Sequence, residues 1–157
     1  MKEALKVTGA ILVVVALLLV IAGSIGYCRS CPGGEEGDVL RTDRRCYVQG
    51  ESVVFVLRNV WDHPINYAVD LRETLTVLDW NGDFVVMRTP LMHPSWVTLE
   101  PNETMELVWD QTYYLHKPGV DEVEWDQRTG TRVPPGRYTA RIEDRDIMAE
   151  VSFRILP

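Results

Sequence analysis

Residues 75–87 read LTVLDWNGDFVVM, and this stretch decides the fold class. Two short apolar runs flank Asn81-Gly82, and this pair is the strongest short sequence signal for a β-hairpin. Apolar and polar side chains alternate along the first run, as they do along a half-buried strand. The stretch therefore predicts an antiparallel β-hairpin.

The same alternation recurs along the rest of the chain, in residues 53–58, 104–109, 137–142 and 147–155. No stretch after residue 28 keeps a 3.6-residue period for three turns. The prolines fall between the runs, where a missing N–H does not disturb a ladder; they are Pro64, Pro90, Pro94, Pro101, Pro118, Pro134 and Pro135. Many short strands with frequent turn signals predict an all-β, antiparallel β-sandwich.

Several short motifs resemble a known family. Residues 46–53 (CYVQGESV) and 55–59 (FVLRN) are similar to the opening of prokaryotic immunoglobulin-like domains of the intracellular-proteinase-inhibitor (BsuPI-like) type. Residues 99–104 (LEPNET) and 133–138 (VPPGRY) resemble the later turn and strands of these domains. The resemblance implies an immunoglobulin-like sandwich in which the Tyr138 hydroxyl bonds nearby backbone as a tyrosine corner.

The N-terminal residues 7–27 (VTGAILVVVALLLVIAGSIGY) carry no charged side chain. At 1.5 Å per residue, a helix of this length crosses a hydrocarbon core about 30 Å thick. We therefore expect one transmembrane signal anchor in residues 1–27, a Gly-rich acidic linker in 28–43 and the sandwich domain in 44–157. Two alternatives stay open at this point: a cleaved secretory signal peptide, and lipidation at Cys28, although a Tyr rather than a small residue precedes it.

The orientation of the anchor rests on its flanks and on the cysteines. Lys and Arg are balanced on the two sides of the apolar run, so positive charge does not decide the side. Cys28, Cys31 and Cys46 flank a short loop before the globular part, and a Cys31–Cys46 or Cys28–Cys46 bridge suits an oxidising exterior. We expect a single-pass protein of the cell membrane, with its domain extracellular or otherwise extracytoplasmic.

Composition narrows the classes of partner. The formal net charge is -7, which fits nucleic acid and anionic lipid headgroups poorly. Arginine dominates the basic residues, and many Arg with many acidic residues predict ion-pair networks that are compatible with a heat-adapted organism. The chain lacks G-x-S-x-G, H-E-x-x-H, a phosphate loop and a dinucleotide fingerprint. We therefore expect no enzyme activity and no cofactor.

The segment 111–132 is the longest without strand alternation, and long loops on rigid sandwiches commonly carry binding. Its aromatic and acidic side chains are the predicted interaction residues: Tyr113, Tyr114, Asp121, Glu122, Glu124, Trp125 and Asp126. Asn102 begins an Asn-Glu-Thr glycosylation sequon in a predicted turn, which matters only for a domain outside the cytoplasm.

The anchor, linker and acidic sandwich together predict a cell-surface domain that binds a protein partner in the cell envelope or assembles a complex there. Two other functions remain open from the sequence. One is proteinase inhibition, by family analogy alone. The other is a metal-binding accessory role that uses the acidic loop or the three histidines.

Overall fold

A computed structural model describes residues 14–15, 33–34, 39–87, 95–115, 126–144 and 147–157. Within these ranges, ten strands and a one-turn helix follow in this order: β1 Leu40–Thr42, β2 Cys46–Val48, β3 Val53–Arg58, β4 Ile65–Ala68, α1 Leu71–Thr74, β5 Thr76–Asp79, β6 Phe84–Val86, β7 Trp96–Leu99, β8 Thr104–Trp109, β9 Gly136–Asp144 and β10 Ile147–Leu156. The described domain is all-β, as predicted.

The strands form three sheets. One has three strands in the order β1-β3-β8, a second has five in the order β2-β10-β9-β5-β6, and β4 pairs with β7. The predicted hairpin is present, with β5 antiparallel to β6 and Gly82 at a φ of 85°. The Asp79 carboxylate accepts the backbone N–H groups of Asn81 and Asp83, which holds the turn closed.

The three-stranded and five-stranded sheets share one aromatic core. The Phe55 ring of β3 meets the Phe153 ring of β10 edge-on, with centroids 5.6 Å apart. Trp109 of β8 lies 6.2 Å from Phe153 and 6.0 Å from Tyr138 of β9. Each such pair contributes about 0.5–1.5 kcal/mol beyond its buried area, so these rings fasten one sheet to the other.

The tyrosine corner expected at Tyr138 is confirmed. Its hydroxyl donates to the Pro134 carbonyl, four residues upstream. Burial raises the pKa of Tyr138 to about 12. Two residues further on, Ala140 is fully buried in the core, so packing fills the position where antibody domains place a cysteine.

Two pairings differ from the sequence-based expectation. Strand β2 runs parallel to β10, so the five-stranded sheet is not purely antiparallel. Strand β1 lies inside the segment 28–43 assigned to the linker and pairs with β3. The side chains of Leu40 and Thr42 are buried, and this burial outweighs the polar, Gly-rich composition from which the linker was predicted.

Among the described residues, no helix is long and apolar enough to span a bilayer. The predicted anchor lies outside the described residues, apart from Val14 and Val15, which are helical.

Candidate functional site

The segment that follows β8 begins at Gln111, which forms hydrogen bonds with Val48, Gly50 and Val133. Gln111 is fully buried and has a φ of 61°. Its side-chain oxygen accepts the Gly50 N–H at 2.7 Å, and its amide nitrogen donates to the Val48 carbonyl at 3.0 Å. The Gln111 carbonyl accepts the Val133 N–H at 2.9 Å. These bonds hold a left-handed backbone that few non-Gly residues adopt, so the segment starts from a fixed position.

Residues 112–115 then extend the edge of the five-stranded sheet. On one side, the Tyr114 N–H donates to Val85, and the Met87 N–H donates to Tyr114. On the other side, the Tyr113 N–H donates to Thr131, and the Gly130 N–H donates to Tyr113. The predicted interaction segment is therefore paired backbone on both sides of the two tyrosines.

Tyr113 is covered by an arginine from the returning part of the same segment. The Arg128 guanidinium lies 5.3 Å from the centre of the Tyr113 ring. Its Nε donates to the Asp126 carboxylate at 3.1 Å, and this hydrogen bond raises the pKa of Arg128 above its ordinary value. The Asp126 carboxylate also accepts the Arg128 backbone N–H at 2.8 Å, so the arginine is oriented from two sides.

Tyr114 is covered in the same way by an arginine that is distant in sequence. The Arg72 guanidinium, in α1, lies 5.8 Å from the centre of the Tyr114 ring. It bonds both oxygens of Asp70, at 2.9 and 2.6 Å, and this interaction holds the pKa of Asp70 below its ordinary value. The Asp70 carboxylate also accepts the Arg72 backbone N–H at 2.8 Å.

Between the hairpin and this segment lies a groove of about 360 Å³, called here the hairpin groove. Its lining is Asp83, Phe84, Met87, Leu115, Asp126 and Arg128. The Phe84 side chain is 46% exposed, and Trp80 on the same hairpin is 74% exposed. Large aromatic side chains at this level of exposure are typical of binding surfaces. The groove combines three apolar side chains, Phe84, Met87 and Leu115, with the charged groups of Asp83, Asp126 and Arg128.

Three of the predicted interaction residues, Tyr113, Tyr114 and Asp126, are thus brought together beside this groove. The other four predicted residues lie outside the described ranges: Asp121, Glu122, Glu124 and Trp125.

Sequence reasoning missed the two arginines and the hairpin aromatics. A usable signal was present for the arginines, because Asp70-Leu71-Arg72 and Asp126-Gln127-Arg128 share an Asp-x-Arg spacing. In both, the aspartate accepts the backbone N–H two residues on, which is the bond of an Asx turn. The same carboxylate then holds the guanidinium over a tyrosine.

Gly33 pairs with β1 at the edge of the three-stranded sheet, and Cys46 lies on β2, an edge strand of the five-stranded sheet. Gly33 exchanges two backbone hydrogen bonds with Thr42, at 3.0 and 2.9 Å. Cys46 is buried and disulfide-bonded. The chain has three cysteines, and Cys28 and Cys31 both lie outside the described residues, so the Cys31–Cys46 pairing stays a prediction.

Asn102 lies in an exposed turn with a φ of 70°, which is the conformation expected where the related turn carries Gly. Its side-chain oxygen accepts a hydrogen bond from Arg58 at 2.9 Å. Glycosylation there stays a prediction. Within the described ranges, no three metal-ligating side chains come together; of the histidines, His63 is described and exposed.

No protein-family model matches the chain, and no curated protein matches it significantly in sequence. The likeness to BsuPI-like domains therefore rests on the short motifs given above.

Proposed function

We propose that this protein is a membrane-anchored, extracytoplasmic immunoglobulin-like domain that binds a protein partner through its hairpin groove. The observation that carries the proposal is the groove itself. Phe84, Met87 and Leu115 line it, and two arginines held by aspartates fix the tyrosines of the neighbouring strand. A rigid surface of this kind binds at a low cost in conformational entropy.

The strand order supports the immunoglobulin-like part of the proposal. In such sandwiches strands A, B and E share one sheet, strands C, F and G share the other, and variable-type domains add C′ to the second sheet. Assigning β1, β3 and β8 to A, B and E reproduces the first sheet order. Assigning β5, β6, β9 and β10 to C, C′, F and G reproduces the second. The tyrosine corner on β9 falls on strand F, where the family places it.

The disulfide supports an extracytoplasmic location. Structural disulfides persist in oxidising compartments and are rare in the cytosol. The predicted anchor in residues 7–27 supplies the route across the membrane. Protease treatment of intact cells tests this part: digestion of the domain supports it, and complete protection contradicts it.

Photocrosslinking tests the groove. A photoreactive amino acid replaces Trp80 in the full chain, expressed in its native membrane. We expect one dominant crosslinked protein, and Phe84→Glu should reduce its yield about 30-fold, because a charge then replaces the exposed aromatic side chain of the groove. Val108→Glu is the matched control, since Val108 is 57% exposed on the other sheet. Equal yields in both variants would contradict the assignment of the groove.

A further inference from the structure

The outer face of the β9–β10 ladder carries two arginines directly opposite each other. Arg137 of β9 pairs in register with Arg154 of β10, and both side chains are exposed. Directly opposed residues have Cβ atoms about 4.5–5.5 Å apart, and like charges at that distance are destabilising. Among the described side chains, neither arginine makes an ion pair. The net charge of the protein is -7, yet these two arginines form a local excess of positive charge. A bound anion would offset the repulsion between them.

The arginine pair borders a groove of about 370 Å³, called here the arginine groove. Its walls include Gly33, Gly34, Cys46, Arg137, Ser152 and Arg154, and Arg45 lies beside them. The exposed Ser152 hydroxyl adds a donor that can reach an oxyanion next to the guanidinium groups. Two guanidinium groups with one hydroxyl match the donors that proteins use to hold a phosphate.

The position of the groove relative to the predicted span indicates which phosphate group could reach these donors. Gly33 is six residues after Tyr27, the predicted end of the span, so at most about 20 Å of extended chain separates them. Cys46, in the groove wall, is disulfide-bonded, and the other cysteines are one and four residues after Tyr27. Both connections keep the groove within about 20 Å of the bilayer surface.

We propose that the arginine groove binds the phosphate of an anionic phospholipid headgroup and thereby seats the domain on the membrane. This ligand rests on the membrane attachment proposed above. The negative net charge does not oppose the contact, because the surface potential of a bilayer decays within a Debye length of about 8–10 Å. The charges next to the headgroup therefore dominate, and the charged side chains that line the groove among the described residues are arginines.

Native mass spectrometry of the full chain in detergent tests the proposal. The protein is titrated with phosphatidylglycerol and, separately, with zwitterionic phosphatidylcholine. We expect the wild type to prefer phosphatidylglycerol. The double variant Arg137→Gln/Arg154→Gln should bind it about 25-fold more weakly, at about fivefold per arginine. Arg137→Gln by itself should bind about fivefold more weakly, and Arg141→Gln is its matched control, because each of these two variants removes one positive charge from the same face of β9.

Loss of phosphatidylglycerol selectivity in the double variant alone supports the proposal. Equal weakening in Arg137→Gln and Arg141→Gln would overturn it, because the preference would then follow net charge. Displacement of the lipid by inorganic phosphate at equal concentration would also overturn it, since the site would then be one for free phosphate. The variant Glu35→Gln/Glu36→Gln enters the same titration. If a preference for phosphatidylglycerol appeared only in that variant, the arginines of the wild type would be paired with Glu35 or Glu36. That result would overturn the proposal.

Folding and anchoring are controlled separately. Arg154→Glu converts the pair into an ion pair, so this variant should fold at least as well as the wild type and still lose the lipid preference. Alkaline carbonate extraction of membranes reports the anchor by itself. A chain released by carbonate would contradict the proposed attachment, whereas a chain that stays in the membrane but shows no lipid preference would contradict the arginine groove alone.

Discussion

Two rungs of the β9–β10 ladder face the same side of the sheet and differ in charge. In the upper rung Arg141 lies opposite Glu150 and bonds it at 3.3 Å. In the lower rung Arg137 lies opposite Arg154. Between them Thr139 and Ser152 share a hydrogen bond of 3.1 Å. The upper rung is satisfied within the protein, whereas the lower rung lacks a complementary charge across the strands.

The difference shows where this fold tolerates a locally unfavourable contact. Beneath the lower rung, Tyr138 and Phe153 are opposed on the inner face, and their rings stack at 5.9 Å. Beneath the upper rung the inner pair is Ala140 and Val151. The charge repulsion therefore lies over the most strongly packed part of the ladder, a distribution often found at functional sites.

The largest expected effect comes from removing that packing. Phe153→Ala should lower the free energy of unfolding by about 3–5 kcal/mol, because the ring contacts four other aromatic side chains. Val151→Ala beneath the upper rung should cost about 2 kcal/mol. Urea unfolding of both variants measures the contrast, and equal losses would show that the two ends of the ladder are packed alike.

The tyrosine corner beneath the lower rung should give the next largest effect. Tyr138→Phe removes the bond to Pro134 and should lower stability by about 1–2 kcal/mol at pH 7. Because burial raises the pKa of Tyr138 to about 12, the wild type is fully stabilised below the unfolded pKa of about 10 and loses stability as the pH rises from there towards 12. In Tyr138→Phe the unfolding free energy should fall less steeply as the pH rises from about 10 to about 12. Unfolding curves measured at several pH values in this range test this. An identical slope of unfolding free energy against pH in both proteins would exclude the effect.

Arg154→Glu should make the lower rung a copy of the upper one. We expect the free energy of unfolding to rise by about 1 kcal/mol, because a repulsive pair becomes an attractive one. Thermal unfolding at low ionic strength measures the change. Ser152→Glu adds the same acidic group one rung away and is the positional control; an equal gain there would mean that only net charge matters.

Glu150→Arg performs the opposite exchange in the upper rung. It removes the partner of Arg141 and opposes two arginines, so the unfolding midpoint should fall by a few degrees. The effect is limited because Arg141 keeps its second bond, to Glu143 at 3.1 Å, and because the pair is exposed. Glu150→Gln removes the attraction without adding a repulsion. Its unfolding midpoint should therefore lie between those of the wild type and Glu150→Arg. A midpoint as low as that of Glu150→Arg would rule out a contribution from repulsion.

Added salt should produce the smallest effect on stability, and this effect should differ between the two forms of the lower rung. Added NaCl screens the Arg137–Arg154 repulsion, so the wild type should gain stability. In Arg154→Glu the same salt screens an attraction, and the gain should disappear. Unfolding midpoints at several NaCl concentrations measure this, and parallel salt dependences would show that the rung is not electrostatically coupled.

Much of the fold follows from local pattern, because strands with one buried face alternate visibly. Strands β3, β5, β8, β9 and β10 were predicted from alternation, and β6 was predicted as the partner of β5 across the Asn81-Gly82 turn. The β4–β7 pair was not, because Ile65–Ala68 and Trp96–Leu99 are short and their pairing is formed between segments about 30 residues apart in sequence. The parallel course of β2 also depends on contacts with the far end of the chain.

The residues of the two proposed binding surfaces were harder to predict from the sequence than the strands were. Tyr113, Tyr114 and Asp126 could be nominated because aromatic and acidic side chains cluster in one segment. Arg72 could not, since a separate helix brings it over Tyr114. The Arg137–Arg154 opposition exists only once the register of β9 against β10 is known, and a shift of one residue would abolish it.

The disulfide at Cys46 has a mechanical consequence. Cys46 lies on β2 and Phe84 on β6, at the two edges of the five-stranded sheet, four strand spacings or about 20 Å apart. In the proposed arrangement, a force between the proposed membrane anchor and a protein bound at the hairpin groove would therefore act across every strand of that sheet, along its inter-strand hydrogen bonds. The five-stranded sheet as a whole would bear this force. Strand β1, which belongs to the other sheet, would not.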